Sequence, residues 1–135
     1  MIVRPSLVVT LCVLAVSALL VTGCGDSKPS YCSKRDQLER SVKDLSDIDL
    51  SKGPTSVTSA ASKVESSATA AVDAAKADFP NETGRIDSSV STLKTAVDQL
   101  PSSPSTAQIA TLALDIKSVV DAVDNFVSQT KKKCE

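Results

Sequence analysis

Cys12, Cys24, Cys32 and Cys134 are the most reactive side chains in this sequence of 135 residues. Paired thiols make redox couples or bridges, and thiolates joined by imidazoles hold zinc. No two of these cysteines form a Cys-x-x-Cys pair, and histidine is absent from the whole sequence. A thioredoxin-type dithiol and a Cys/His zinc set are both ruled out on those grounds. The missing imidazole also removes the commonest general base. Serine is plentiful, but with no histidine and no Ser-x-x-Lys motif on a recognisable fold, no hydroxyl can be nominated as a nucleophile. Asp44, Asp47 and Asp49 crowd together in a way that invites a cation, yet they lack the glycine placement and terminal glutamate of an EF-hand loop. Asp115, Asp121 and Asp124 fall on the polar side of a helical stretch, where carboxylates are ordinarily solvated. The sequence therefore nominates no catalytic residue, no metal ligand and no cofactor, and the chain is expected not to be an enzyme.

Charge and aromatic content exclude further classes. The 15 Lys+Arg and 16 Asp+Glu give a net charge of -1, with no sustained basic stripe for nucleic acid. Aromatic residues make up 2% of the chain, too few for a base-stacking platform. Lys131, Lys132 and Lys133 are the only basic cluster. Cations sit well at a helix C-terminus, and the same lysines could attract an anionic membrane surface; the two roles are compatible. Asn81-Glu82-Thr83 matches a glycosylation sequon, read here as chance.

The strongest local signal lies at the start. Residues 1–4 are weakly positive and residues 7–21 are almost wholly apolar. That run of about 15 residues falls short of the roughly 20 a spanning helix needs, and suits a signal-peptide core. Val21-Thr22-Gly23-Cys24 then resembles the lipobox of bacterial lipoproteins, with Val in place of the commoner Leu at its first position. The resemblance implies that the Cys24 thiol receives a diacylglyceryl group and that cleavage leaves Cys24 at the new terminus. It divides the chain into a signal peptide at 1–23, a lipidated tether at 24–31 and a domain at 32–135. It also implies an address on the extracytoplasmic face of the bacterial cell membrane, where buried acyl chains at about 0.8 kcal/mol per methylene form the anchor. Removing Arg4 with the leader leaves the 16 acids in slight excess.

With Cys12 cleaved off and Cys24 lipidated, Cys32 and Cys134 remain. An isolated pair outside the cytoplasm normally becomes a disulfide, and a loop of about 100 residues closed this way gains roughly 4–5 kcal/mol. A bridge between two chains, making a dimer, is the alternative.

Helical periodicity runs through the rest. Leu38, Val42 and Leu45, followed by Ile48, mark a first helix capped by Ser33, with Asp36 in its first turn, and ended by Gly53-Pro54. Val57, Ala61, Val64, Ala68, Ala71 and Ala75 mark a second, closed by Phe79. A turn is expected at Pro80, Asn81 and Gly84. Ile86, Val90, Leu93, Val97 and Leu100 mark a third helix, ended by Pro101 and Pro104. Ser105 and Gln108 form a capping-box pattern before a fourth, whose seam of Ile109, Leu112, Ile116, Val119, Val123, Phe126 and Thr130 is broadened by Ala113, Val120 and Val127. The expected fold is all-α: an up-down-up-down four-helix bundle closed by one disulfide. Four helices, unlike three, return the C-terminus to the end where the N-terminus lies.

The body is also similar to small helical lipoproteins and secreted proteins of actinobacteria, through Cys32, Lys34, Arg35 and Leu38, the Ala/Ser/Thr/Val-rich helices and the C-terminal cysteine. That resemblance implies no particular activity. The expected role is a membrane-anchored envelope structural or interaction module, with the membrane and an envelope protein as partners and no nucleic acid. The alternative is a carrier whose helices shelter a small apolar ligand such as a lipid, for which the Ala-lined second helix leaves room.

Overall fold

A computed structural model describes residues 27–135. The leader and Cys24 lie outside the described residues. Four helices follow one another: α1 (Ser30–Ser46), α2 (Pro54–Ala75), α3 (Pro80–Asp98) and α4 (Thr106–Cys134), with a 3₁₀ turn at Leu50–Lys52. No strand occurs among the described residues. Each helix packs on its chain neighbours, and α4 packs back on α1, which closes an up-down-up-down square. Among the described residues no helix is long and apolar enough to cross a membrane.

The first helix starts at Ser30, three residues ahead of the expected cap, so the last two residues assigned to the tether belong to its first turn. Ser33 lies inside the helix, and its hydroxyl donates to the Ser30 carbonyl at 3.1 Å. Burial explains the extension: Tyr31 and Arg35 continue the Leu38, Val42, Leu45 series backwards at the same spacing, and all five are buried. The helix ends at Ser46, ahead of the Gly-Pro pair. The Asp49 carboxylate then accepts from the Ser51 amide at 3.0 Å and hydroxyl at 2.6 Å, capping the 3₁₀ turn. Gly53 has φ 102° and ψ 170°, a region essentially closed to residues with a Cβ, and it redirects the chain into α2.

Pro80 does not sit in the turn but opens α3, where its missing N–H costs no helical hydrogen bond. The turn falls at 76–79, and Asn81 and Gly84 are helical. Ser105 caps α4 as its pattern predicts, accepting from the Gln108 amide at 3.3 Å while the Gln108 side chain accepts from the Ser105 amide at 2.9 Å. On α4 the buried row is Leu112, Ile116, Val119, Val123, Phe126, Thr130 and Cys134, and Ala122 widens it. Ala113 faces solvent instead, so the seam is narrower at the start of this helix than its sequence suggests.

The core is built mainly from small side chains. Along α2 it takes Ala60, Ala61, Ala68, Ala71 and Ala75, with only Val57 and Val64 larger. Phe126, Leu38, Leu45, Ile86 and Leu93 are the bulkiest fully buried groups. Full burial of a side chain of that size gives about 1.5–3 kcal/mol, and an alanine gives far less. A covalent clasp consequently matters here. Cys32 and Cys134 form that clasp within one chain, with Cα atoms 5.5 Å apart across a sequence separation of 102. The interchain alternative is set aside by this bridge.

Candidate functional site

The residues nominated from sequence that the structure describes gather at the disulfide pole. Cys32 in the first turn of α1 meets Cys134 in the last turn of α4, and both are buried. The Lys133 carbonyl lies 3.9 Å from the Cys32 sulfur; a bridged sulfur has no proton, so the contact is packing.

All three aromatic residues of the chain collect beside the bridge. Tyr31 and Phe79 meet edge to face at 5.6 Å between ring centroids, and Phe79 and Phe126 do so at 6.0 Å. Such pairs add about 0.5–1.5 kcal/mol beyond simple burial. The Lys133 ammonium stands 5.5 Å from the centre of the Phe79 ring. One turn deeper, Arg35 is 9% exposed and grips Asp36 Oδ1 from Nε at 2.9 Å and from a terminal nitrogen at 2.7 Å. Its other terminal nitrogen reaches Thr130 Oγ1 at 3.5 Å, while the Thr130 hydroxyl donates to the Phe126 carbonyl at 2.8 Å. Arg35 therefore ties α1 to α4 with its charge matched. The Tyr31 hydroxyl is buried without a hydrogen-bond partner.

The three lysines do not act alike. Lys131 faces Glu135 at 3.9 Å, Lys133 lies over Phe79, and Lys132 has no ion pair among the described residues. All are exposed, and the first of these contacts is a surface pair of small worth.

The acidic candidates separate. Asp47 pairs with Lys43 at 3.3 Å, and Asp49 is occupied by Ser51, whose hydroxyl and amide hold its carboxyl below the usual range. Asp121 pairs with Lys117 at 2.7 Å, and Asp115 and Asp124 stand apart from any such pair. Thr83 of the sequon is 2% exposed and donates to the Phe79 carbonyl at 2.7 Å. Ser91-x-x-Lys94 and Ser128-x-x-Lys131 occur on the helices. Asp98, and then Glu65, raise the Lys94 pKa above its ordinary value, which is the reverse of what a lysine base requires.

Tyr31, Arg35 and Thr83 carry much of this pole, and periodicity alone did not single them out. The signal for the first two was available, since positions 31, 35, 38, 42 and 45 form one series. Thr83, in the first turn of α3, carries no such mark, because its back-bond to the Phe79 carbonyl appears only in the folded chain.

The fold and this pole define a class: among the described residues, an all-helical four-helix bundle whose first and last helices are locked by one internal disulfide. Comparison with protein-family models, with curated proteins and with solved structures finds no match for the chain.

Proposed function

We propose that the protein is a bacterial lipoprotein, anchored through Cys24 to the extracytoplasmic face of the cell membrane, whose helical bundle is a non-enzymatic interaction module for another envelope component. The observation that carries this reading is the Cys32–Cys134 bridge. A structural disulfide belongs to an oxidising compartment, in keeping with export. It also brings the last turn of α4 to the pole where the chain enters α1. Residues 24–29 can span only about 20 Å when fully extended, so an anchor at Cys24 holds that pole close to the bilayer. Lys131, Lys132 and Lys133 then lie on the lipid side, where an unpaired lysine such as Lys132 adds about 1 kcal/mol of attraction to an anionic surface.

The non-enzymatic part rests on the absence of histidine, the commonest general base. The carrier reading draws less support. An apolar recess between the end of α3 and the start of α4 is open, lined by Leu100 and Leu112 among others, and about 240 Å³. Ligand pockets for molecules of drug size run from about 300 Å³ upward.

Globomycin treatment and a Cys24→Ala variant test the anchor. Both are expected to leave an uncleaved, unlipidated precursor, read by the intact mass. Normal cleavage of the Cys24→Ala chain refutes the anchor. For the partner, crosslinking and pull-down with the lipidated protein is expected to return one envelope component in stoichiometric amount. Recovery of nothing above an unrelated lipoprotein control counts against an interaction module.

A further inference from the structure

We infer that the groove between α1 and α2 is a binding site for a phosphate-bearing polyol. Two helix faces build it. Lys34, Gln37 and Ser41 on α1 line one wall at helical spacing, and Ser59, Ser62, Lys63 and Ser66 on α2 line the other. The groove is open to solvent, with Lys34, Gln37, Ser59, Ser62, Lys63 and Ser66 all exposed along it, and it spans about 730 Å³.

What singles it out is the set of unengaged donors and the lack of a carboxylate. Lys34 and Lys63 have no acidic partner among the described residues, unlike Lys43, Lys76, Lys94 and Lys117. No acid lines the groove. The acid nearest Lys34 along α1, Asp36, is held by Arg35, and Glu65 on α2 points to Lys94 on α3. Ser41 and Ser67 donate to the carbonyls of Gln37 and Lys63 one turn back, which leaves their oxygens as acceptors. The hydroxyls of Ser59, Ser62 and Ser66 make no hydrogen bond within the described fold. Serine is a mediocre helix former, and hydroxyls left free in mid-helix return nothing to the fold.

The neighbouring grooves differ. Between α3 and α4, Arg85 shares its groove with Asp121. Between α2 and α3, Lys94 is neutralised by Glu65 and Asp98. The groove between α1 and α2 alone among these joins two unpaired cations to hydroxyl and amide groups. Two ammonium groups on opposite walls match the charge of a phosphate, whose tetrahedral oxygens accept from both sides. Hydroxyls and an amide, each donor and acceptor, match the alcohols of a polyol. With no aromatic ring in the groove, a neutral sugar lacks a stacking surface, so the anion is the anchor.

The test is calorimetric titration of the purified full chain with glycerol 3-phosphate, inorganic phosphate and gluconate, together with flotation on phosphatidylglycerol and on phosphatidylcholine vesicles. Glycerol 3-phosphate is expected to bind more tightly than inorganic phosphate or gluconate. Lys34→Gln with Lys63→Gln is expected to weaken that binding by roughly tenfold or more, and Ser62→Ala with Ser66→Ala to erase the preference over inorganic phosphate. These are surface positions, and an unchanged helical spectrum confirms folding. If the source is a lipid headgroup, the lysine pair variant loses the excess of flotation on phosphatidylglycerol over phosphatidylcholine while a variant of Lys131, Lys132 and Lys133 retains groove-dependent binding; if it is a free metabolite, only the soluble probe responds to the pair. Equal binding by the lysine pair variant in both arms, or tighter binding of gluconate, overturns the inference and leaves the membrane anchor untouched.

Discussion

Removing the clasp is the most informative perturbation of this bundle. In Cys32→Ala with Cys134→Ala, the denatured chain regains the freedom of a loop closed across a sequence separation of 102. The chain-entropy relation for a loop of that length gives about 4.7 kcal/mol at 25 °C. With an unfolding entropy of about 2.1 cal/mol/K per residue, a domain of this size is expected to lose roughly 20 °C in Tm. Both cysteines are 4% exposed, so lost packing adds to the effect. The assay is thermal and urea unfolding of the purified protein followed by helical circular dichroism, with the reduced and alkylated native sequence as a second arm. The variant is expected to keep its helices at low temperature, because the four seams do not depend on the sulfurs. A drop in Tm below about 5 °C refutes the reasoning, since it would mean that the denatured chain is not restrained by the bridge.

Other substitutions test separate parts of the account. Tyr31→Phe deletes a buried hydroxyl that has no partner, so stability is expected to hold or rise by up to about 1 kcal/mol in urea unfolding; a clear loss would reveal a hidden acceptor. Gly53→Ala forces a Cβ into a backbone region that disfavours it and is expected to cost about 1–3 kcal/mol, although nothing lies within 4 Å of the added atom. Gly84→Ala, helical and equally unobstructed, is expected to stabilise by about 0.5–1 kcal/mol. Opposite signs at these two glycines are the check. The Asp49 pKa is lowered by the Ser51 hydroxyl and then by its amide, so this cap contributes above the ordinary carboxylate pKa and is lost as pH falls through the depressed value. Carboxyl NMR titration is expected to place Asp49 below the ordinary aspartate value, and Ser51→Ala is expected to move it back.

The helical class, the number of helices and most of their buried faces were legible in the sequence. Six of six α2 seam positions read from periodicity are buried, because a repeat of three and four leaves a helix only one side to hide. The capping box at Ser105 was equally plain, since its hydrogen bonds run between residues three apart. The pairing of Cys32 with Cys134 followed from setting aside Cys12 and Cys24, and the even helix count from chain reversal at each breaker agreed with it.

Local signals were weaker guides where a neighbour decides the outcome. Ser33 is a good cap by type, but burial of Tyr31 and Cys32 against other helices carries α1 past it. Pro80 breaks a helix in isolation, yet at a first position it starts one, and only the path of the chain tells which. Ala113 fits the seam by type and ends in solvent, and Arg35, a charged residue, is buried because Asp36 and Thr130 meet its guanidinium. The groove between α1 and α2 belongs to the same group. Its serines and lysines lie on two polar helix faces, and antiparallel packing sets them side by side along one open groove, since it sets the lateral neighbours of each helix while periodicity sets only its inward side.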